Sequence, residues 1–248
     1  MNEFSSYICE DVIREARAEM DKEKYFLIPN AYSLEFCDKI CSQIDNIDEG
    51  IGVEFNYGGT EQRVWSSQKR SSDIKVFFDD ANELLSKINN RQCVAGTVLA
   101  TKISPLNQCD EVSTKNRWHI DSWRSQEKVF LFLNDTSIES GAFEFIPKTN
   151  KKSFRIKKAL EPGFFFSFNP NWLINRSTSR PYQGIDDRKI ERLLTSGYKA
   201  MPVVVKAGTV MVVNPSYLIH RPKPCIKGKR YALTSYFDVK IGYKDYQL

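Results

Sequence analysis

The chain has 248 residues, of which 41% are hydrophobic and 27% are charged, proportions typical of a soluble globular protein. These values exclude a collagen-like, disordered or coiled-coil chain, and the length is sufficient to bury a substantial core. The 36 Lys and Arg residues against 31 Asp and Glu give a net charge of +5. This mild excess allows an anionic substrate, but it is too small to indicate binding of nucleic acid by itself.

The cysteines and the N-terminal segment indicate a reduced compartment. The chain contains no Cys-x-x-Cys pair, which disfavours a zinc ribbon or a thioredoxin-like site. Cys37 and Cys41 lie four residues apart in a predicted helix, and we interpret them as half-buried, small apolar side chains. The N-terminal segment is charged and no run of 18 apolar residues occurs, so we expect no signal peptide, no membrane span and a cytoplasmic location.

The first third of the chain is predicted to be mostly helical. Apolar residues recur at helical spacing over residues 8–22, and a short strand, Tyr25–Ile28, is predicted to follow. Ser33 is expected to cap a second helix. Residues 46–74 are polar and rich in glycine, which predicts a long surface loop. A further short helix is predicted at Asp80–Ile88.

From residue 94 onwards, short segments rich in β-branched and aromatic residues predict strands. These segments are Val94–Ile103, Val129–Leu133, Gly141–Ile146, Pro202–Val205, Thr209–Val213 and Arg230–Val239. Helices followed by many strands predict a mainly β (α+β) fold, a jelly roll with N-terminal helices packed against it. We predict one domain over residues 1–248, with a mostly helical part (1–93), a jelly-roll core (94–240) and an insert (154–200) that either closes as a lid or packs on the barrel.

The two histidines of the chain, with one nearby carboxylate, predict a metal site. On a strand, His119 and Asp121 would project from the same face, and together they would supply two corners of a facial triad for Fe(II). His220 is the only other histidine, so it is the candidate for the third corner. Three protein ligands on one face leave three positions for a cosubstrate and dioxygen. Each histidine alone is more often a structural residue, and that interpretation stays open.

Arg230 predicts the identity of the cosubstrate. It opens the last strand ten residues after His220, and an inward guanidinium there could hold a carboxylate through two hydrogen bonds. 2-Oxoglutarate has this requirement, because its keto acid end chelates iron while its far carboxylate needs a fixed cation. Two histidines exclude a three-histidine cupin dioxygenase, and Asp121 argues against an iron halogenase.

With these residues in place, the chain resembles the Fe(II)- and 2-oxoglutarate-dependent dioxygenases, most closely the phytanoyl-CoA dioxygenase-like family. Besides the four site residues, the resemblance is carried by Glu23–Phe36, Ser140–Pro147 and Ala207–Val213. It covers roughly residues 23–238 and implies a double-stranded β-helix with iron at its mouth. One departure is Lys148–Asn150, where the family usually has Gly-Ser-His, a segment at the substrate entrance rather than at the metal.

The resemblance also implies roles for individual residues. It matches His119, Asp121 and His220 to the iron ligands and Arg230 to the anchor of the distal carboxylate. It matches Thr101 and Phe130 to positions that line the cosubstrate pocket, with Lys102 as a rival to Thr101.

The function that follows is an Fe(II)- and 2-oxoglutarate-dependent oxygenase that consumes dioxygen and releases succinate and carbon dioxide. We expect it to hydroxylate a C–H bond of a small, anionic molecule, although desaturation, epimerisation or ring closure could start from the same iron centre. The basic side chains at residues 148–158 would meet an anionic substrate or form a solvated face. Two alternatives stay open: a nucleic-acid or protein demethylase with the same iron site, and a non-catalytic jelly-roll binding protein.

Overall fold

The fold was obtained as a computed structural model that describes residues 4, 8–56, 59–105, 118–121, 125–161, 164 and 184–237. The helices are α1 (Glu10–Lys22), α2 (Leu34–Asp45), α3 (Ser72–Asn89), α4 (Lys152–Ala159) and α5 (Asp187–Thr195). The strands are β1 (Tyr25–Ile28), β2 (Val53–Asn56), β3 (Glu61–Val64), β4 (Ala95–Ile103), β5 (Lys128–Phe132), β6 (Phe143–Ile146), β7 (Met201–Pro202), β8 (Thr209–Val213), β9 (Ile219–Pro222) and β10 (Arg230–Phe237). In these ranges, no helix has the length and hydropathy needed to span a membrane.

The strands form two antiparallel sheets. The main sheet has the order β1-β8-β5-β10-β4-β3-β2, and the smaller sheet has the order β7-β6-β9. A bridge between His119 and His220 adds the segment around His119 to the smaller sheet beside β9. This arrangement is the predicted jelly roll, so the predicted fold class is confirmed.

The outer face of the main sheet packs on the N-terminal helices. Its alternating apolar residues, among them Val129, Leu131, Val210, Val212 and Leu233, share one buried cluster with residues of α1, α2 and α3. The predicted cap is present, because the Ser33 hydroxyl accepts a hydrogen bond from the Phe36 N–H at the start of α2. The first helix, β1 and α2 therefore lie where the sequence predicts them.

The inner face of the main sheet carries the groups from which a site can be built. The register places Phe130 of β5 opposite Thr234 of β10, and Thr234 opposite Leu99 of β4. Because successive side chains of a strand point to opposite faces of the sheet, every second residue from these positions also faces inward. The polar and charged members of this face are Glu61, Arg63, Thr97, Thr101, Lys128, Arg230, Thr234 and Tyr236. Apolar residues between the two sheets, including Phe132, Phe143 and Phe145, fill the rest of the interior.

The prediction of a surface loop at residues 46–74 is wrong. This region contains the hairpin β2–β3, which extends the main sheet beyond β4, followed by a short 3-10 turn at Ser67–Lys69. Helix α3 begins at Ser72, so it is twice as long as the helix predicted at Asp80–Ile88. Strand β3 was missed because it carries Glu-Gln-Arg in place of an apolar alternation.

Three further differences concern strand limits. The strand predicted at Pro202–Val205 is observed as Met201–Pro202, which pairs with β6. Gly141 lies before β6 and has a positive φ of 81°, as a turn residue does. Strand β9, which contains His220, was not predicted, because four residues ending in proline carry little strand pattern. Residues 165–183, the centre of the predicted lid, lie outside the described residues, as does Val239.

The predicted interpretation of the helical cysteines fits the structure. Cys37 is buried and Cys41 is partly buried, and both are free thiols. Burial raises the pKa of Cys37 to about 11 and that of Cys41 to about 12. Because the thiolate is the reactive form, both cysteines behave as inert packing residues at neutral pH.

The turn before β8 depends on a glycine. Gly208 has a φ of 80°, and its carbonyl accepts a 3.1 Å hydrogen bond from the Tyr32 N–H. A Cβ at position 208 would overlap the Tyr32 carbonyl oxygen, whereas Gly197, with a φ of 102°, has nothing within 4 Å of its added Cβ.

We therefore expect Gly208→Ala to lower the free energy of unfolding by about 2 to 4 kcal/mol and Gly197→Ala to lower it by about 1 kcal/mol. Both variants carry the cost of a positive φ, but only Gly208→Ala adds a backbone clash. Urea unfolding of the two variants measures the difference, and equal losses would contradict the steric argument.

Candidate metal centre

Three side chains with metal-ligating atoms meet beside the smaller sheet. The His119 N–H donates to the His220 carbonyl at 3.0 Å, and the His220 N–H donates back to the His119 carbonyl at 2.9 Å. This reciprocal pair holds the two imidazoles side by side, with ring centroids 4.2 Å apart. Asp121 projects to the same side, with Oδ1 lying 3.4 Å from His119 Nε2 and 3.3 Å from His220 Nε2.

These distances fit one metal ion. The candidate ligand atoms of His119, Asp121 and His220 all lie within 4.8 Å of one another. Octahedral coordination with bonds of about 2.1 Å requires neighbouring ligand atoms to be about 3 Å apart. Two imidazoles and one carboxylate form the donor set of the facial triad that binds Fe(II). The structure thus brings together the three residues that the sequence singled out.

The tautomer of His220 also suits a ligand. Its Nδ1 lies 2.9 Å from the Leu218 carbonyl oxygen. A carbonyl only accepts, so Nδ1 carries the proton and the Nε2 lone pair is directed towards Asp121. Such a hydrogen bond from the distal nitrogen fixes the orientation of a metal-binding imidazole.

The protonation states of His220 and Asp121 favour binding of a metal cation. Burial lowers the pKa of His220, and the neighbouring His119 lowers it further, with Asp121 opposing. Burial acts to raise the pKa of Asp121, but the Lys128 ammonium and His220 outweigh it and hold that pKa well below its usual range. A neutral imidazole and an ionised carboxylate are the forms that bind metal.

Lys128 is a site residue that the sequence analysis missed. It lies on the inner face of β5, it is 9% exposed, and its ammonium forms an ion pair with Oδ2 of Asp121. The ammonium also lies 4.5 Å from the centroid of the Tyr236 ring. A lysine two residues before Phe130, at an inward position of an otherwise apolar strand, was the pattern that could have identified it.

Arg230 lies on the same inner face, at the start of β10. Its guanidinium donates to the Gly141 carbonyl. Burial lowers the pKa of Arg230, and the nearby Glu61 carboxylate opposes this shift. Glu61 is 3% exposed and lies 3.1 Å from the Arg63 guanidinium. Glu61 and Arg63 were also missed, because both lie in the segment predicted as a loop.

Thr101 and Phe130 face the interior, whereas Lys102 does not. The Thr101 hydroxyl donates to the Ala232 carbonyl at 3.3 Å, and the Phe130 ring lies 5.7 Å from that of Phe143. Lys102 points to the helices, where its ammonium lies 2.5 Å from Asp45. The geometry thus removes Lys102 as the rival to Thr101.

The segments that contain His119 and His220 also contact each other on the face opposite the imidazoles. Arg221, next to His220, lies 4.5 Å above the ring of Trp118, the residue before His119. Its Nε donates to Glu144 at 2.6 Å. These contacts tie the two segments together behind the imidazoles.

Comparison with known sequences gives one family. The family model described as phytanoyl-CoA dioxygenase (PhyH) matches residues 22–224, a range that includes His119, Asp121 and His220. No curated protein matches the chain significantly.

Solved structures share the fold at low sequence identity. The epimerase SnoN, in complex with Fe3+, alpha ketoglutarate and nogalamycin RO, is 12% identical with a TM-score of 0.66, over 92% of this chain and 84% of its own. HygX from Streptomyces hygroscopicus, with nickel, 2-oxoglutarate and hygromycin B bound, is 14% identical with a TM-score of 0.55, over 90% and 86%. The carbocyclase SnoK from nogalamycin biosynthesis is 10% identical with a TM-score of 0.58, over 94% and 85%.

Proposed function

The chain belongs to the phytanoyl-CoA dioxygenase family, and we propose that it is an Fe(II)- and 2-oxoglutarate-dependent oxygenase that hydroxylates a C–H bond of a small, anionic molecule. The observation that carries this proposal is the meeting of His119, Asp121 and His220 around one point. The neighbours SnoN and HygX, which were solved with 2-oxoglutarate and a metal, support the same cofactors here.

Each predicted site residue has a role in this proposal. His119 Nε2, His220 Nε2 and Oδ1 of Asp121 would hold Fe(II), and Arg230 would hold the far carboxylate of 2-oxoglutarate through its guanidinium. Thr101 and Phe130 would line the cosubstrate pocket between these two points. When bound, the iron would let dioxygen act as the oxidant, one oxygen atom converting 2-oxoglutarate into succinate and carbon dioxide and the other converting a substrate C–H bond into a hydroxyl.

The interior explains how the reaction is kept from water. Phe130, Phe132, Phe143 and Phe145 lie between the two sheets, and the Phe143 ring lies 5.1 Å from that of His220. Apolar rings beside the metal ligands exclude bulk water and lower the local dielectric, which strengthens the interaction of Arg230 with a carboxylate.

A cation of helix α4 near the metal centre supports an anionic substrate. The Asp121 N–H lies 3.4 Å from the Pro215 carbonyl, so the turn that follows β8 borders the site. Arg155 of α4 donates to the Ser216 carbonyl of this turn at 2.7 Å and lies 4.5 Å from the centroid of the Tyr217 ring. Arg155 of α4 therefore lies beside the turn that borders the site, whereas the Lys158 ammonium is paired with Glu161 at 2.6 Å. The remaining basic residues of α4 are Lys152 and Lys157.

An anaerobic titration tests the cofactors. Metal-free protein is given Fe(II) and then 2-oxoglutarate, and visible absorption is recorded. We expect a metal-to-ligand charge-transfer band that requires both additions and is lost in His119→Ala, because that variant lacks one ligand. Folded wild-type protein without such a band would contradict the proposal.

Product analysis tests the reaction class. Succinate release is measured with anionic metabolites and with their neutral esters or amides. We expect release to depend on the anionic form and the product to contain one additional oxygen atom. An isomeric product would indicate epimerisation, and a loss of two hydrogens without oxygen gain would indicate desaturation or ring closure; either would overturn hydroxylation while leaving the cofactor assignment intact.

A further inference from the structure

We propose that Lys128 is a positioning residue that holds Oδ2 of Asp121, so that the carboxylate binds the metal through Oδ1 alone and leaves one more coordination position open. The inference rests on the metal site of the proposed function and adds a residue that the triad does not contain.

The two oxygens of Asp121 have different surroundings. Oδ1 lies 3.4 Å from His119 Nε2 and 3.3 Å from His220 Nε2, so it borders the point where these three atoms converge. Oδ2 is in contact with the Lys128 ammonium. Bidentate binding would require both oxygens to face the metal, and the charge-assisted contact with Lys128 opposes that rotation.

Lys128 is itself held firmly. It lies on β5 between β8 and β10, paired with Val213 on one side and with Tyr236 on the other. The Tyr236 ring packs 4.5 Å from the ammonium, and the Trp65 ring packs behind it at 5.7 Å. The main sheet therefore presents a fixed cation to a carboxylate that belongs to the opposite side of the barrel.

Packing alone does not explain a lysine at this position. Burying an ammonium costs several kcal/mol even after relaxation of its surroundings, and methionine would fill a similar volume without that cost. The other inward residues of β5, Phe130 and Phe132, are apolar. The charge is explained if the ammonium is needed at Oδ2 of Asp121.

The consequence concerns the number of open positions. With two imidazoles and a monodentate carboxylate, an octahedral metal keeps three positions, of which chelating 2-oxoglutarate takes two. A bidentate Asp121 would occupy the position that is left for dioxygen. Lys128 would therefore preserve the reactive position without touching substrate.

The test counts the water molecules on bound Mn(II) by water proton relaxation, which needs no turnover. We expect wild-type protein with Mn(II) and 2-oxoglutarate to retain one exchangeable coordinated water. In Lys128→Met, Asp121 is free to bind through both oxygens, so we expect the relaxation due to coordinated water to be lost. Lys128→Gln keeps a hydrogen-bond donor and should retain it. Lys102→Met, on the outer face of the same sheet, is the matched control and should match the wild type.

The outcomes separate this proposal from the proposed function. Wild-type protein that binds neither Mn(II) nor 2-oxoglutarate would contradict the proposed function itself. Wild-type protein that binds both but retains no coordinated water would overturn the role of Lys128, even if Lys128→Met does not fold. A folded Lys128→Met variant that binds both and keeps the wild-type relaxation would also overturn it.

Discussion

Replacing Asp121 with alanine is expected to weaken binding of Fe(II) or Mn(II) at least about 100-fold. The substitution removes the only carboxylate among the three candidate ligands in the described residues, and two neutral imidazoles alone give little charge compensation to a divalent cation. Isothermal titration of the metal-free protein measures the loss. Binding that stays within a few-fold of the wild type would contradict the placement of the metal at this point.

The same substitution is expected to lower the free energy of unfolding by about 3 kcal/mol, because it leaves the buried Lys128 ammonium without its counter-ion. Urea unfolding in the absence of metal measures this effect. The double variant Asp121→Ala/Lys128→Met removes both charges and should regain most of the stability while still failing to bind metal. A double variant no more stable than Asp121→Ala would contradict the charge explanation.

The sequence predicted those parts of the fold where local pattern and tertiary position agree. The helix at residues 8–22 has one apolar face, which the structure buries, and the strand Tyr25–Ile28 is apolar on both faces, which pack against the two clusters on either side of the main sheet. The hairpin β2–β3 could not be recognised, because β3 is an inner strand of the site and carries Glu61 and Arg63 where a core strand has apolar residues. Strand β9 was missed because its pairing with β6, rather than its composition, makes it a strand.

The candidate metal centre could be predicted for a different reason. With two histidines in the chain, few sets of residues can form a facial triad. The ligands could therefore be identified by excluding other sets, without a recognisable strand pattern around His220. Lysine and glutamate are numerous in the chain and are usually surface residues, so counting could not single out Lys128 and Glu61. Their inward direction follows from the strand register, which depends on partners elsewhere in the chain, Tyr236 for Lys128 and Ile103 for Glu61.

Replacing Arg230 with methionine is expected to weaken binding of 2-oxoglutarate about 100-fold, or about 2.7 kcal/mol, while leaving metal affinity unchanged. Methionine retains much of the apolar bulk of the arginine side chain but cannot donate to the distal carboxylate. Titration of the Fe(II)-loaded protein, followed by the charge-transfer band, measures the affinity. Arg155→Met is the matched control, because Arg155 likewise donates to a backbone carbonyl, that of Ser216, and has no proposed contact with the cosubstrate.

A second cosubstrate separates loss of the clamp from collapse of the pocket. 2-Oxobutyrate has the same chelating keto acid end but no distal carboxylate, so its affinity should be nearly equal in the wild type and in Arg230→Met. Arg230 donates to the Gly141 carbonyl, so a purely structural role would disturb the turn before β6 and weaken both keto acids alike. Equal losses for the two compounds would therefore assign Arg230 to the scaffold, whereas a loss confined to 2-oxoglutarate would assign it to the distal carboxylate.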